Sequence, residues 1–383
     1  MTTVQHQDYM QRALELAAQG IGSVEPNPAV GCVIVKEGQM IGQGFHRRFG
    51  GPHAEINAMV DCRNRGFDPA GSTVYVTLEP CCHTGKTGPC TQALIEAKVA
   101  GVVAAVQDPS DKVAGKGFAQ LRQAGIDVTV GVCEAQARRL NAPFFKFAKT
   151  ARPWVIAKWA QSIDGKLSWR NPPADGNWIS GAQSRQDVHR LRQRCQAILV
   201  GVNTVITDNP RLTIRIPGQS IERPPLRVVL DTHLRTPLDC HLATTAEAPT
   251  LIVTSESTIH NNQDKAAAFR KVGVDVLPIP QSNQHPDLPH LLSELGRRGV
   301  QQLLVEGGPA VLSSFITQHL ADEICVYIAP ILLGQDGTAD MTAALNASVM
   351  QEFYDVNIGT FEQDVKISAL LSNDYTRKLL DPS

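Results

Sequence analysis

The chain of 383 residues is 43% hydrophobic and 19% charged, so it can bury the apolar cores of two or three domains and is not intrinsically disordered. Its formal net charge is −1, and neither half carries the excess of Lys and Arg that binding a phosphate backbone needs, which excludes nucleic acid as the expected partner. The longest apolar runs, 29–35 and 324–333, are shorter than the ~18 residues of a membrane span, so we expect no membrane partner.

The first half of the chain alternates short apolar runs, typical of strands, with segments of helical periodicity. This alternation indicates a three-layer α/β domain with helices on both faces of the sheet. The pattern predicts strands at 29–35, 39–44, 73–77, 102–106 and 127–130. It predicts helices at 5–19, 53–63, 90–97 and 116–124.

A second alternating series follows Arg152 and Pro153 and indicates a further α/β domain. The boundary falls within 141–152, where three phenylalanines indicate a packed connector, and we assign residues 1–147 and 148–383 to the two domains. Strands are predicted at 154–160, 197–200, 227–231, 250–254, 302–305 and 323–328. Helices are predicted at 184–193, 266–272, 288–297 and 310–319.

The chain has nine cysteines, an odd number, and its N-terminus shows no basic stretch followed by an apolar one that would mark a signal peptide. We therefore expect a cytoplasmic protein without a disulfide framework. Six cysteines are scattered singly, which is typical of small buried hydrophobic residues. The other three, Cys81, Cys82 and Cys90, fall within ten residues of one another and direct attention to a metal site.

A histidine and this cysteine cluster have the arrangement that zinc deaminases use. Glu55 follows His53 by two residues, and a Pro-Cys pair and a further cysteine come later in the chain. Three protein ligands leave the fourth tetrahedral position of zinc open for water, whose pKa the metal lowers towards ~7. Glu55 is then a proton shuttle beside that water rather than a ligand. The pattern favours a catalytic zinc.

Two alternatives remain open at this point. A structural zinc would take a fourth protein ligand, which Cys82 or His83 could supply. Glu55 favours the catalytic interpretation, because a structural site has no use for it. Within the cysteine pair, Cys81 is preferred to Cys82 only because it follows Pro80, as in the deaminase pattern.

The spacing of the cysteines distinguishes this chain from other families of zinc deaminases. Eight residues separate Cys81 from Cys90, whereas nucleoside and nucleic-acid deaminases place two residues between their cysteines. The segments PNPAVGCVIV at 26–35, HAE at 53–55 and YVTLEPC at 75–81 closely resemble the bifunctional riboflavin biosynthesis deaminase–reductases. The resemblance covers both halves of the chain nearly end to end. It implies a cytidine-deaminase-like N-terminal domain that deaminates the phosphoribosylated diaminopyrimidinone made early in riboflavin synthesis.

For the first domain the resemblance also implies residue roles. It makes His53, Cys81 and Cys90 the zinc ligands and Glu55 the proton shuttle. The substrate contacts that it implies are Asn27, His46, His83, Lys86 and Thr87. Relatives often have Asp-Pro-Asn where this chain has Asp-Pro-Ser at 108–110, which leaves open any contact made by that Asn amide.

The second half contains no G-x-G-x-x-G after a strand, which disfavours a conventional Rossmann dinucleotide domain. Gly307, Gly308 and Pro309 lie between a predicted strand and a predicted helix. A glycine pair in this place either admits a phosphate to the backbone N–H groups of the helix start or only meets the steric needs of a strand-to-helix turn. The residues alone leave both explanations open.

The same family resemblance extends through this half, at 159–166, 177–180, 202–215 and 305–309. It implies a reductase domain that is similar in fold to dihydrofolate reductase and uses NADPH to reduce the ribose to a ribityl chain. The residues that it places around NADPH are Ala160, Trp178, Thr204, Asp208, Gly308, Pro309, Ala310, Val311, Leu312, Ser313 and Ser314. Those that it places around the substrate are Arg192, Leu212, Arg215 and Glu306.

The chemistry of these substrate residues can be anticipated in part. Arg192 and Arg215 are candidate phosphate clamps, since a guanidinium fork matches phosphate oxygens, although an arginine on a helix also suits a solvated face. Asp208 and Glu306 are the candidate proton donors of the reduction. Relatives commonly have a serine where this chain has Gly176, so a hydroxyl contact to the substrate is missing or replaced locally.

We therefore expect a two-domain enzyme with Zn²⁺ and NADPH as cofactors, which catalyses two consecutive steps of riboflavin synthesis on a phosphoribosyl pyrimidine. A homo-oligomer, either a dimer or a tetramer, is also expected. One competing interpretation is a nucleic-acid deaminase with an accessory domain, which the balanced charge and the cysteine spacing disfavour. The other is a non-catalytic, zinc-stapled nucleotide-binding protein, which Glu55 disfavours.

Overall fold

The computed structural model describes residues 3–83, 88–110, 113–171, 178–282, 285–341, 352–372 and 376. The chain divides into two compact units that part between Ala151 and Arg152. We call the described residues up to Ala151 unit 1 and those from Arg152 to Thr376 unit 2. None of the helices in these residues has the length and apolar character that a membrane crossing requires.

The elements are numbered in chain order. The helices of unit 1 are α1 (Thr3–Ala18), α2 (Ala54–Asn64), α3 (Cys90–Glu96), α4 (Lys116–Gln123), α5 (Glu134–Leu140) and α6 (Ala142–Thr150). Its strands are β1 (Gly31–Lys36), β2 (Gln39–Phe45), β3 (Thr73–Val76), β4 (Gly101–Ala104) and β5 (Asp127–Val130). The helices of unit 2 are α7 (Ala182–Arg194), α8 (Val202–Asp208), α9 (Glu256–Asn261), α10 (Gln263–Lys271), α11 (Leu288–Arg297) and α12 (Pro309–Thr317). Its strands are β6 (Trp154–Ser162), β7 (Lys166–Trp169), β8 (Ala197–Gly201), β9 (Leu226–Leu230), β10 (Thr250–Thr254), β11 (Asp275–Pro278), β12 (Gln281–Ser282), β13 (His285–Pro286), β14 (Gln302–Val305), β15 (Glu323–Ala329), β16 (Gly337–Asp340), β17 (Phe353–Phe361) and β18 (Asp364–Leu371).

Unit 1 is built on a five-stranded sheet in the order β2-β1-β3-β4-β5. Strand β1 is antiparallel to both of its neighbours, whereas β3, β4 and β5 are parallel. The carboxyl ends of β3 and β4 therefore lie side by side, and the segments that follow them meet at one edge of the sheet. The amide of Glu79 donates to the carbonyl oxygen of Val106 at 3.0 Å across this edge.

Helices cover both faces of this sheet. Because side chains alternate along a strand, Cys32 and Ile34 of β1 join an apolar cluster with α2, α3 and α4, whereas Gly31 faces α1. A Cβ on Gly31 would lie 1.9 Å from the carbonyl oxygen of Ala13, so α1 packs directly on the strand backbone. The predicted three-layer α/β fold of the first half is confirmed.

Unit 2 contains a nine-stranded sheet in the order β11-β10-β9-β8-β14-β6-β15-β18-β17. The seven strands from β11 to β15 are parallel, and β18 and β17 continue the sheet in antiparallel fashion. Strand β14 is late in the chain, yet it lies between β8 and β6. The carboxyl ends of these three strands therefore form one continuous edge.

The core of unit 2 lies between this sheet and its helices. Leu291 and Leu295 of α11, together with Leu312 and Phe315 of α12, are completely buried in one apolar cluster with the central strands. Burial of each such side chain contributes about 1.5–3 kcal/mol relative to exposure. Packing of α12 against the sheet thus fixes the position of its N-terminus at the carboxyl end of β14.

Candidate active sites

The start of α2 carries the histidine and the glutamate of the predicted zinc motif. His53 has an extended backbone and is the N-cap residue, and Glu55 lies in the first turn. Only 3% of Glu55 is exposed. The helix start therefore holds an imidazole and a buried carboxyl group close together in unit 1.

The start of α3 holds the two cysteines. Cys90 is the first residue of this helix, and its backbone N–H donates to Sγ of Cys81 at 3.3 Å. The next amide, that of Thr91, donates to the carbonyl oxygen of Cys81 at 3.1 Å. Amides that have no partner within the helix thus fix both the sulfur and the backbone of Cys81.

Together, His53, Cys81 and Cys90 bring one nitrogen and two sulfurs within 4.8 Å of one another. Nδ1 of His53 lies 3.3 Å from Sγ of Cys90 and 3.5 Å from Sγ of Cys81. In the described part of the chain, no other group of His, Cys, Asp and Glu side chains is arranged to hold a metal ion. One imidazole and two thiolates suit zinc and leave a fourth position for water.

The alternative ligands do not join this cluster. Cys82 is half-buried and His83 is exposed, and neither belongs to the group of converging donors. The structure therefore brings Cys81, rather than Cys82, to His53 and Cys90. It offers no fourth protein ligand among the residues that it describes.

The electrostatics of the cluster suit proton transfer and metal binding. Burial raises the pKa of Glu55 above its usual value, and Cys81 raises it further. A carboxyl group of raised pKa is suited to both taking up and releasing a proton. A hydrogen bond from the Cys90 thiol outweighs burial and, with His53, lowers the pKa of Cys81 to about 4. These contacts favour the thiolate form of Cys81, which is the form that binds a metal.

Two of the predicted substrate contacts lie beside the metal cluster. His46 is buried, and its ring centroid is 5.4 Å from that of His53. Its Nδ1 donates to the carbonyl oxygen of Pro52 at 3.0 Å, while its Nε2 accepts from the side-chain amide of Asn27 at 3.1 Å. Burial lowers the pKa of His46, which matches the neutral ring that these partners require.

The structure gives less information about the remaining predicted substrate contacts of unit 1. His83 is exposed, and Lys86 and Thr87 lie outside the described residues. Ser110 stands in a turn where its N–H donates to Oδ1 of Asp108 at 2.7 Å. Burial raises the pKa of Asp108 to about 6, with Glu79 acting in the same direction.

In unit 2, most of the residues predicted around NADPH gather at the carboxyl ends of three adjacent strands. Thr204 and Asp208 belong to α8, which follows β8, and residues 308–314 form the start of α12, which follows β14. Ala160 lies on β6, the third of these strands. This edge is where parallel α/β sheets bind nucleotides. Trp178, which is also predicted to bind NADPH, is 61% exposed. Gly176, where relatives commonly have a serine, lies outside the described residues.

The two glycines before α12 are there for different reasons. A Cβ on Gly307 would lie 2.7 Å from Cβ of Val311, so packing alone accounts for this glycine. Gly308 is the N-cap with a φ of −69°, and a Cβ there would meet no heavy atom within 4 Å. Neither backbone conformation nor packing requires glycine at 308. The open space beside it fits a ligand at the helix N-terminus.

Arg192 and Glu306 form a bidentate ion pair. Nε and Nη2 of Arg192 donate to the two carboxylate oxygens at 2.7 and 2.9 Å, and Nη1 donates to the carbonyl oxygen of Thr213 at 2.9 Å. Burial opposes the charge on Glu306, but Arg192 lowers the pKa of its carboxyl group to about 2. Glu306 is therefore ionised at neutral pH. The fork of Arg192 is directed at this carboxylate and does not lie on a solvated face, since only 12% of the side chain is exposed.

The loop after α8 carries the other two predicted substrate residues. Leu212 is buried and has a φ of 51°, a conformation that is strained for a residue with a Cβ. Arg215 is exposed, and its backbone N–H donates to Nδ1 of His189 at 3.3 Å. The buried Arg227 donates to the carbonyl oxygen of Arg211 at 3.3 Å. One side chain of α7 and one of β9 thus form hydrogen bonds with the backbone of this loop.

Sequence reasoning missed two titratable residues in this region. The register of β14 and β6 pairs Val305 with Ala157, which places Lys158 beside Glu306. Burial lowers the pKa of Lys158, although Glu306 acts in the opposite direction. Burial and the neighbouring arginines lower the pKa of His189 to about 4. A lysine within the apolar run WVIAKWA could have signalled Lys158, because lysine is seldom buried without a partner.

Comparison with known proteins matches each unit to a family model. The model described as the cytidine and deoxycytidylate deaminase zinc-binding region matches residues 3–106, within unit 1. The RibD C-terminal domain model matches residues 153–367, within unit 2. The two matches fall on either side of the division between the units.

Relatives are similar over nearly the whole chain. The riboflavin biosynthesis protein RibD of Aquifex aeolicus is 43% identical over 328 residues, which cover 86% of this chain and 88% of the relative. The structure of Acinetobacter baumannii RibD aligns with a TM-score of 0.82 at 36% identity and covers 97% of this chain and all of the other. A Thermotoga maritima diaminohydroxyphosphoribosylaminopyrimidine deaminase/5-amino-6-(5-phosphoribosylamino)uracil reductase aligns with a TM-score of 0.82 at 33% identity, covering 97% of this chain and 99% of that one.

Proposed function

The chain belongs to the RibD family, and from that premise we propose which of its residues carry the two reactions of the family. It is a bifunctional enzyme of riboflavin biosynthesis, a zinc hydrolase and an NADP-dependent oxidoreductase. It hydrolytically deaminates 2,5-diamino-6-(5-phosphoribosylamino)pyrimidin-4-one. It then reduces the ribose with NADPH, giving 5-amino-6-(5-phosphoribitylamino)uracil.

One observation carries the deaminase assignment, namely the convergence of His53, Cys81 and Cys90 next to the buried Glu55. We assign the first three as the zinc ligands. A zinc ion held by these residues would supply a water of lowered pKa, which is a nucleophile near neutral pH. The Cys90 thiol lowers the pKa of Cys81, and the amides of Cys90 and Thr91 hold its sulfur and its carbonyl oxygen in place.

We assign Glu55 as the proton shuttle. Hydrolytic deamination consumes one water and releases one ammonia, so protons must pass from the water to the ring nitrogen and to the leaving amine. The Glu55 carboxylate takes one proton from the water and delivers it to the ring nitrogen, and it then takes the remaining proton of the added hydroxyl group and delivers it to the leaving amine. Burial supports this role, because it raises the pKa of Glu55 and makes the protonated form accessible.

Five residues are proposed to contact the substrate of the deaminase. The hydrogen bonds of Asn27 and His46 beside His53 support these two. For His83, Lys86 and Thr87 the family resemblance is the support. A lysine and a hydroxyl group in one loop suit the phosphate of a phosphoribosyl group.

In the second reaction, NADPH bound in unit 2 would supply the hydride that reduces the ribose. We propose that Ala160, Trp178, Thr204, Asp208 and residues 308–314 bind this cofactor, with the open N-terminus of α12 as support. Arg192, Leu212, Arg215 and Glu306 are proposed to bind the substrate. The low pKa of Glu306 supports a role in holding Arg192 and speaks against proton donation by its carboxyl group.

We further propose residues 1–147 as the deaminase domain and 148–383 as the reductase domain, which the two family-model matches support. A homo-oligomer, dimer or tetramer, is proposed as well. Exposed apolar side chains on the edge strand β17, such as Val356 and Ile358, support it. A cytoplasmic location is supported by the nine free cysteines, which suit a reducing compartment.

The ligand set is tested by single replacements in the full-length enzyme. His53→Ala, Cys81→Ser and Cys90→Ser are each expected to weaken zinc binding by more than the ~10–100-fold that loss of an outer-shell partner costs. The matched control is Cys82→Ser, an adjacent cysteine outside the cluster, which should keep zinc and deaminase turnover. Zinc content and competition with a chelator measure the outcome. Retention of zinc by Cys81→Ser together with its loss from Cys82→Ser would reverse the assignment.

A further inference from the structure

Glu79 has no role in the reactions described so far, although it is buried two residues before the zinc ligand Cys81. Only 4% of it is exposed. Both carboxylate oxygens accept backbone N–H groups from a segment about thirty to forty residues later in the chain. Oε2 accepts from Asp108 at 3.2 Å and from Gly115 at 2.9 Å, and Oε1 accepts from Gly117 at 2.9 Å and from Phe118 at 3.3 Å.

Three of these donors belong to the start of α4, which cannot satisfy them itself. Gly115 is the N-cap of this helix and has no side chain to accept a hydrogen bond. The amides of Gly115, Gly117 and Phe118 have no partner within the helix, and an anion near a helix N-terminus is favoured by the helix dipole. Glu79 therefore acts as the cap of a helix to which it does not belong.

The start of α4 also lies directly on the turn that precedes Cys81. A Cβ on Gly117 would lie 2.3 Å from the carbonyl oxygen of Pro80. Cys81 is held from its other side, because the amide of Thr91 donates to its carbonyl oxygen at 3.1 Å. The hydroxyl of Thr91 in turn donates to Gln120 of α4 at 2.6 Å. The zinc-ligand turn is thus enclosed between the starts of α3 and α4.

The fourth donor brings in the turn after β4. The amide of Asp108 donates to Glu79, and the Asp108 carboxylate accepts the amide of Ser110 at 2.7 Å. One buried carboxylate therefore connects the zinc-ligand turn, the turn at 108–110 and the start of α4.

We propose that Glu79 is a positioning residue of the deaminase site: its carboxylate clamps the Asp108 turn and the start of α4 against the Pro80–Cys81 turn, and so holds Cys81 in the geometry that binds zinc. The inference rests on the proposed zinc site. It assigns Glu79 an action through Cys81 and no contact with the substrate or the reacting atoms.

Glu79→Gln in the full-length enzyme tests this clamp. Gln has one oxygen and one NH₂ group, so whichever way it turns, the NH₂ faces two of the four N–H donors and one pair of hydrogen bonds is lost. We expect kcat of deamination to fall on the order of tenfold to a hundredfold with an unchanged KM, and zinc to pass to a chelator faster. Amide hydrogen exchange should accelerate in peptides covering 105–118 and not in β1 or β3.

The matched control is Glu96→Gln, the same chemical change on the exposed surface of α3, which should leave all three measurements at wild-type values. Reductase turnover on deaminated substrate monitors the folding of unit 2. A second variant, Gly117→Ala, keeps the Glu79 carboxylate but inserts a methyl group against the Pro80 carbonyl oxygen. It should reproduce the faster zinc loss and the lower kcat.

The proposal is overturned if Glu79→Gln matches Glu96→Gln in zinc retention and kcat. It is also overturned if exchange accelerates throughout the sheet of unit 1, since Glu79 would then stabilise the fold in general, or if Gly117→Ala behaves as the wild type. Failure of the underlying zinc assignment would look different. In that case wild-type deamination would be insensitive to the chelator before any variant is compared.

Discussion

Replacing Glu55 by Gln is expected to lower kcat of deamination by about 10³-fold or more while zinc stays bound. Gln preserves the shape of the buried side chain but cannot take up a proton, and a general acid–base group contributes about 10²–10⁴-fold to a rate. The effect should be large because the same carboxyl group serves the ring nitrogen and the leaving amine. Ammonia release and zinc content, measured on one preparation, give the result.

Glu96→Gln serves as the control for the Glu55 variant, because it makes the same replacement at an exposed position of unit 1. Reductase turnover on deaminated substrate should be equal in both variants and the wild type. Loss of zinc from Glu55→Gln would make this residue a ligand. Turnover at the wild-type rate would remove it from the mechanism.

Gly308→Val is expected to raise KM for NADPH by about tenfold or more and to change KM for the pyrimidine substrate little. The backbone at 308 is extended and its surroundings are open, so the valine itself should not disturb folding. The added side chain would instead fill the space through which a phosphate approaches the amides at the start of α12. Initial rates of NADPH oxidation at varied cofactor concentration measure the effect.

Gly359→Val provides a comparison within unit 2. Gly359 lies on β17, and a Cβ there would meet only the ring of Phe361, at 3.8 Å. This variant should keep both KM values, and deamination should be unaffected in either variant. A Gly308→Val enzyme that binds NADPH with wild-type affinity would remove the helix start from the cofactor site.

The regular elements and the zinc cluster could be predicted because their signals are local. Strand β4 and helix α11, for example, show plain apolar runs or periodicity. The metal cluster is carried by residue types of rare and specific chemistry at recognisable spacing. Cys81 is preferred to Cys82 from the sequence only because it follows Pro80, and in the structure Cys81 converges with His53 and Cys90.

Elements with weak local signals were not predicted. Helix α6 (Ala142–Thr150) consists largely of aromatic and small residues, from which the sequence predicts only a packed connector. Strand β17 (Phe353–Phe361) is mostly exposed at the edge of the sheet, and its alternation of apolar and polar residues, from Tyr354 to Ile358, covers only five residues. In both cases tertiary packing decides the structure.

Contacts between side chains that are far apart in the sequence could not be predicted either. The sequence suggested Arg192 as a phosphate clamp, yet its fork is directed at Glu306, more than a hundred residues away. Glu79 stands in a recognised motif, but its partners at 108–118 are fixed only by the adjacency of β3 and β4. Ion pairs and distant helix caps depend on topology, which no short pattern encodes.

One chain performs zinc-dependent deamination first and NADPH-dependent reduction second. A single assay tests it most directly, in which ammonia release and NADPH oxidation are followed together on the phosphoribosylated diaminopyrimidinone. The wild-type enzyme should release one ammonia per NADPH oxidised and should release ammonia without NADPH. Glu55→Gln should release no ammonia and oxidise no NADPH on this substrate. It should oxidise NADPH at the wild-type rate when deaminated substrate is supplied. Oxidation of NADPH by Glu55→Gln on the aminated substrate, without ammonia release, would show that reduction does not require prior deamination.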